Sequence, residues 1–130
     1  MNLLFLKIGA FFGALSVILG AFGAHVLKTT LLSSGRMETY ETAIKYLFYH
    51  SLALILVGIL HKEFTNKWIN YSGNCFIIGT IIFSGSLLLL CFSGLKAMGA
   101  VAPIGGTFLV LAWVFLFWGF SKKINDKFSI

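Results

Sequence analysis

The residues of this chain that could take part in chemistry are a few histidines and the polar side chains near them. His25 closes a long apolar run with the stretch GAFGAH, and His50 lies within a second apolar run. Tyr46 precedes His50 by one helical turn, so the two side chains share a helix face. Helical rise brings further polar residues to the same end of the helices. The resulting candidate polar cluster contains His25, Glu41, Tyr46, His50 and Lys96.

Three interpretations of this cluster compete. The first is structural and favoured: His25 and His50 form hydrogen bonds to neighbouring helices and interfacial water. The second is a metal site of two histidines and a glutamate, although the contiguous histidine motifs of metal sites are absent from the sequence. The third is proton-coupled transport, because histidine titrates near neutral pH. No nucleophile, base and orienting group occur together, so we predict a chain that is not an enzyme, with no cofactor or metal.

Composition indicates the environment of these residues. The chain has 130 residues, of which 58% are hydrophobic and 11% are charged. Soluble domains contain about 25% charged residues, and a charge in hydrocarbon costs several kcal/mol. An integral membrane protein is therefore predicted. The net charge of +6 comes from Lys and Arg at the ends of apolar runs, so we expect anionic lipid headgroups as partners and no nucleic acid.

Four apolar runs, the second at about 43–60, approach the ~20 residues that span a bilayer as a helix. They predict helices at about 3–24, 38–61, 71–92 and 100–120, the second of which starts before the membrane. They are continuous rather than alternating, which excludes barrel strands. The fold class predicted is all-α, an integral membrane bundle of four transmembrane helices in one domain, 1–130. A short amphipathic interfacial segment is expected between helices one and two. The first segment is too long for an ordinary signal peptide, so we expect it to be retained.

The first helix carries a row of small residues with a 3.5-residue repeat, typical of one seam of a left-handed helix pair. Small side chains let membrane helices approach closely. The seam therefore predicts helix packing, within the bundle, between copies of the chain, or both. Its members are Gly9, Gly13, Ser16, Gly20 and Gly23.

Two further groups of small residues occur in helices three and four. Ser84, Gly85 and Ser86 lie near mid-membrane, where close packing is favoured over a substrate path because serine commonly bonds the carbonyl one turn back. Pro103, Gly105 and Gly106 are predicted to start helix four, since proline is tolerated in a first turn.

The distribution of Lys and Arg predicts the orientation. If both termini share a side, that side has six positive residues: Lys7, Lys62, Lys67, Lys122, Lys123 and Lys127. The other side has four: Lys28, Arg36, Lys45 and Lys96. We therefore expect both termini in the cytoplasm and the protein in the plasma (inner) membrane.

Four motifs carry a resemblance that covers essentially the whole chain. They are LGAFGAH (19–25), YHSLAL (49–54), FSGSL (83–87) and PIGG (103–106). In this order they resemble the YgdD/YwdK family of small membrane proteins. The resemblance implies four helices in the plasma membrane and an uncharacterised biochemical function, and it supplies no catalytic residues.

These observations favour a non-enzymatic inner-membrane protein that supports envelope integrity through helix packing and self-association. The alternative is a small oligomeric carrier or channel for protons, a metal or a lipid-like molecule. That alternative would use His25, Glu41 and His50.

Overall fold

A computed structural model describes the backbone of residues 1–128 and the side chains of residues 1–122. The helices are α1 (Leu3–Ala24), α2 (Lys28–Ser33), α3 (Met37–Leu60), α4 (Lys67–Ser93) and α5 (Ala97–Phe128). Four of them, α1, α3, α4 and the 97–122 part of α5, are long and apolar enough to cross a membrane. The predicted all-α, four-span fold is confirmed, and the short α2 occupies the connection in which we expect an interfacial segment.

Asparagine caps determine where two of the helices begin. The Oδ1 atom of Asn2 accepts hydrogen bonds from the first-turn amides of α1, and that of Asn66 accepts them from Trp68 N and Ile69 N at 3.1 and 3.3 Å. Such a cap satisfies amides that have no partner within the helix. The polar turn after Asn66 is therefore helical, and α4 begins four residues before the apolar segment predicted from 71.

Two glycines with left-handed backbone conformation follow α2 and α4, at the same end of the bundle. Gly35 (φ 69°) separates α2 from α3, and Gly94 (φ 72°) caps the C-terminus of α4. Only glycine adopts this conformation without strain. The Arg36 guanidinium crosses between the two connections and donates to Cys91 O at 3.5 Å.

The helices pack in the order α1, α3, α4, α5, with the broad interfaces lying between neighbours in that order. Side chains of all four long helices meet in one apolar core. Its members include Phe5 and Phe12 of α1, Leu54 and Val57 of α3, Phe76 of α4 and Leu116 of α5. A smaller cluster of Leu31, Tyr40 and Cys91 anchors α2 against the end of the bundle.

The start of α5 differs from the prediction. The helix begins at Ala97, so Pro103 is its seventh residue and lies inside the helix rather than in the first turn. Proline within a helix removes the hydrogen bond to the carbonyl four residues earlier, but membrane helices tolerate this where neighbouring groups compensate. Thr107 Oγ1 donates to Pro103 O at 2.9 Å, one turn beyond the Gly99 carbonyl that the proline leaves without its helical donor. The rule that places proline in a first turn gave the wrong position here.

Candidate functional site

The tightest part of the glycine seam faces α3 of the same chain. A Cβ added to Gly9 would lie 2.9 Å from Ser51 O and 2.7 Å from Ile55 Cγ1, so the two backbones are nearly in contact. Gly23 lies against the ring of Tyr40, whose hydroxyl donates to Leu19 O. These glycines hold α1 against α3 within the bundle.

The remaining seam residues pack less tightly. A Cβ on Gly13 would lie 3.4 Å from Ser51 Oγ, and one on Gly20 would lie 3.6 Å from Ile44 Cγ2, which is ordinary van der Waals contact. Ser16 is buried and donates to Gly13 O at 2.7 Å, within its own helix. The approach of α1 to α3 is thus closest at Gly9 and Gly23 and looser at Gly20.

His50 is buried, and both of its ring nitrogens have partners. Nδ1 lies 2.8 Å from Tyr46 O, and Nε2 lies 3.4 Å from Trp113 Nε1. A carbonyl only accepts and an indole N–H only donates, so these partners assign the proton to Nδ1 and leave Nε2 as the acceptor. The ring stacks on Tyr46 with centroids 5.7 Å apart. His50 therefore links α3 to α5 as a neutral hydrogen-bonding group.

The other members of the candidate polar cluster do not converge on His50. His25 is the exposed C-cap of α1, and Lys96 is exposed in the connection between α4 and α5. Glu41 is exposed and lines a different cleft, beside Lys28 and Lys45. Within residues 1–122, no group of three His, Cys, Asp or Glu side chains is placed to hold a metal ion. The structure brings together only Tyr46 and His50 of the five.

A cleft of about 550 Å³ lies beside His50, between α3 and α5, and we name it the α3–α5 cleft. Its walls are aromatic and aliphatic apart from His50 and Thr107. The lining residues are Tyr46, His50, Phe83, Pro103, Gly106, Thr107, Leu109, Val110 and Trp113. Among them are Pro103 and Gly106 from the predicted helix-four motif.

Two of the four serines of α4 link it to neighbouring helices. Ser84 Oγ donates to Ala43 O of α3 at 2.8 Å, and Ser72 Oγ donates to Ala112 O of α5 at 2.8 Å. Ser86 bonds Phe83 O in its own helix at 3.0 Å, as expected for serine in a membrane helix. A Cβ on Gly85 would meet no atom within 4 Å.

Glycines also bring α4 and α5 into close contact. A Cβ on Gly79 would lie 2.9 Å from Leu109 N, and one on Gly105 would collide with the backbone of Phe83. Each helix thus presents a glycine to the backbone of the other, which suits association in lipid through close packing.

Comparison with known proteins places this architecture in a family. The sequence profile described as "Protein of unknown function (DUF423)" matches residues 19–106, more than half of the chain. The chain belongs to the DUF423 family. A UPF0382 membrane protein of Staphylococcus haemolyticus is 38% identical over 113 residues, covering 87% of this chain and 91% of the relative. The resemblance to the YgdD/YwdK family is confirmed, and no solved structure matches the chain.

The relatives' names agree with the four membrane spans. The UPF0382 inner membrane protein YgdD of Escherichia coli K12 is 34% identical over 107 residues, covering 82% of this chain and 81% of the relative. A UPF0382 membrane protein of Staphylococcus saprophyticus is 36% identical over 118 residues, with 91% and 97% covered. This DUF423 member is an integral membrane protein.

Sequence reasoning missed several residues that organise this DUF423 member. Trp113 is the partner of His50, Tyr40 fills the space opposite Gly23, and Ser72 joins α4 to α5. Their partners are distant along the chain, so no local spacing indicates the contact.

Proposed function

We propose that this chain is a non-enzymatic inner-membrane protein that supports envelope integrity as a tightly packed helical unit. The observation that carries the proposal is that two buried serines and one half-buried asparagine donate hydrogen bonds to the backbone of neighbouring helices. Ser84 bonds the backbone of α3, while Ser72 and Asn66 bond the backbone of α5, the last by Asn66 Nδ2 to Gly119 O at 3.0 Å. Polar groups in hydrocarbon need partners within the protein, and the partners of Ser72 and Ser84 lie on neighbouring helices.

Self-association and orientation belong to the same proposal. The seam glycines Gly9 and Gly23 already contact α3, so association between copies would use another, lipid-facing surface. The outward side of α1 and α5 offers such surfaces, with exposed apolar side chains including Phe11, Val17, Val110 and Phe117. The termini are proposed to lie in the cytoplasm, following the Lys and Arg bias.

The carrier or channel hypothesis receives less support from the geometry. It requires His25, Glu41 and His50 to act together, and these residues lie at separate places in the described structure. His50 also has both ring nitrogens occupied by Tyr46 O and Trp113 Nε1. A proton relay through His50 would first have to break these bonds.

Gene deletion with complementation tests the proposed function. We expect cells that lack the gene to take up more of a normally excluded dye after osmotic shock, and the wild-type gene to restore exclusion. Gly9→Leu should fail to restore it, because the new side chain would collide with Ser51 O and Ile55. Ala10→Leu is the matched control, since Ala10 is exposed on the same helix and tolerates a larger side chain.

Two outcomes would count against the proposal. Equal dye exclusion with and without the gene would show that the protein has no role in envelope integrity. Full rescue by Gly9→Leu in a variant shown to have lost its packing would separate integrity from helix packing. The molecular mass of the protein in lipid nanodiscs tests self-association independently. A strictly monomeric mass would contradict self-association and leave the rest of the proposal unaffected.

A further inference from the structure

A second cleft, of about 520 Å³, lies where α1 ends, α2 crosses and α3 begins, and we name it the interfacial cleft. Two lysines and one carboxylate lie at its rim, and its walls are otherwise mostly apolar. The lining residues are Gly20, Gly23, Ala24, Lys28, Met37, Tyr40, Glu41, Ile44 and Lys45. Its position at the ends of two spanning helices is the level of the headgroups.

The interfacial cleft continues along the bundle as an apolar groove. A smaller cleft of about 300 Å³ shares Ile44 and Lys45 with it. That smaller cleft adds Ser16, Val17, Phe48 and Tyr49. From Met37 to Tyr49, α3 rises by about 18 Å, and about 6 Å of this rise lies beyond Lys45, toward the bilayer centre. The combined groove thus extends from the headgroup level into the part of one leaflet nearest the headgroups, alongside α1 and α3.

The shape of the groove follows from the seam of α1. At Gly20 the contact with α3 is an ordinary one, 3.6 Å from a built Cβ to Ile44 Cγ2, whereas Gly9 is close to the α3 backbone. Gly20 and Ala24 have little or no side chain to fill the gap that results. The two helices therefore leave a space beside Gly20, Ala24 and Ile44 whose lining is mostly apolar.

The charged residues at the rim favour an anionic headgroup. Lys28 and Lys45 are exposed and carry two positive charges, and Glu41 carries one negative charge, so the rim has a net charge of +1. A phosphodiester with charge −1 complements this rim, and lysine is an effective point-charge ligand for phosphate. The Glu41 carboxylate accepts hydrogen bonds, which suits a headgroup that carries hydroxyl donors.

From these observations we infer that the groove is a binding site for an anionic phospholipid with a hydroxyl-bearing headgroup, of the phosphatidylglycerol type. Its phosphate lies between Lys28 and Lys45, its hydroxyls face Glu41, and the first part of one acyl chain follows the groove between α1 and α3. This inference goes beyond the proposed function, because it assigns a ligand class and a site. The α3–α5 cleft has no charged lining residue and lacks this selectivity.

Native mass spectrometry of the full chain in mixed micelles of phosphatidylglycerol and phosphatidylcholine tests the site. We expect the wild-type protein to retain one phosphatidylglycerol molecule. The double variant Lys28→Gln/Lys45→Gln should bind it about 25-fold more weakly, since each lysine near an anionic lipid surface contributes about fivefold. Lys62→Gln/Lys67→Gln, with the same charge change at the other end of the bundle, should stay within about twofold of the wild type.

A second pair of variants tests the groove rather than the charges. Gly20→Leu places a side chain in the groove while both lysines remain, and we expect it to displace the retained lipid. Ala21→Leu adds the same side chain at the next position, which is exposed, and should leave retention unchanged. Thermal unfolding of each variant shows that the fold is intact.

Three results would overturn the inference. Equal loss of phosphatidylglycerol from both lysine double variants would indicate annular lipid attracted by net charge only. Equal retention of phosphatidylcholine by the wild type would show that the site does not select the headgroup. Retention of phosphatidylglycerol by Gly20→Leu would show that the groove does not hold the lipid. Each result would leave the proposed function standing, because that function is tested by dye exclusion in cells.

Discussion

At the scale of single residues, His50 illustrates how a titratable group can be fixed in a structural role. Tyr46 O can only accept and Trp113 Nε1 can only donate, so the two neighbours together specify one neutral tautomer. Phe76 adds an aromatic ring at 5.6 Å from the imidazole centroid. The arrangement uses histidine as a two-sided connector between the carbonyl of one helix and the indole of another.

The bond between His50 and Trp113 should make a small but measurable contribution to stability. A double-mutant cycle of His50→Leu and Trp113→Phe is expected to give a coupling energy of about 0.6 kcal/mol, the usual value for hydrogen bonds between membrane helices. The 3.4 Å distance gives no reason to expect more. Unfolding by steric trapping in bicelles measures this quantity.

Tyr46→Phe provides the control for that cycle. The Tyr46 ring stacks on His50, but it is the Tyr46 backbone carbonyl that bonds Nδ1, so loss of the hydroxyl should leave the coupling unchanged. A coupling of zero between His50 and Trp113 would show that the two rings are merely packed together.

At the scale of helices, α1 shows how one repeat of small residues can serve two purposes. Gly9 and Gly23 bring the helix against α3, while Gly20 leaves an open groove beside the same neighbour. The repeat of small residues is uniform along the sequence, but the contacts are not, because the side chains of α3 opposite each glycine differ. Ser51 and Tyr40 fill the space opposite Gly9 and Gly23, whereas Ile44 leaves space opposite Gly20.

Alanine substitutions along α1 should therefore differ in effect. Gly9→Ala is expected to lower the free energy of unfolding by about 1–3 kcal/mol, because its Cβ would lie 2.9 Å from Ser51 O and force the helices apart. Gly20→Ala should change it by no more than about 0.5 kcal/mol, since its Cβ makes an ordinary contact. Unfolding titration with SDS compares the two. Equal destabilisation would mean that the spacing of α1 and α3 is uniform.

The helices themselves could be predicted because each is a continuous apolar run of bilayer length, and α1 was predicted with the bounds that the structure has. The start of α4 is harder to predict, because its first turn lies outside the apolar run and is stabilised by the Asn66 cap. Contacts such as Ser72 with Ala112 depend on helix order and rotation, which one sequence does not specify. Helix periodicity places Tyr46 and His50 on one face, and the structure brings this pair together. The other members of the polar cluster are predicted from their depth in the membrane, and depth does not specify which helix faces lie against each other.

At the scale of the whole molecule, the chain forms two helix pairs, α1 with α3 and α4 with α5, joined through the interface of α3 with α4. Phe76 lies at this junction, fully buried, with Trp113 at 5.0 Å and His50 at 5.6 Å. Outside the junction, large apolar side chains are exposed all around the spans. A lipid solvent makes that surface favourable, where water would make it an aggregation hazard.

The positive charge at the two ends of this bundle predicts how it sits in the membrane. The end with the termini and the α3–α4 connection has six Lys residues, and the other end has four Lys and Arg residues. Because positive residues near spans are retained in the cytoplasm, both termini should lie there. A fluorescent protein fused after Ile130 should be fluorescent, and alkaline phosphatase fused at the same place should be inactive. Fusions after Ser34, in the connection between α2 and α3, should behave in the opposite way. Active phosphatase at the C-terminus would show that the orientation is the reverse of the predicted one.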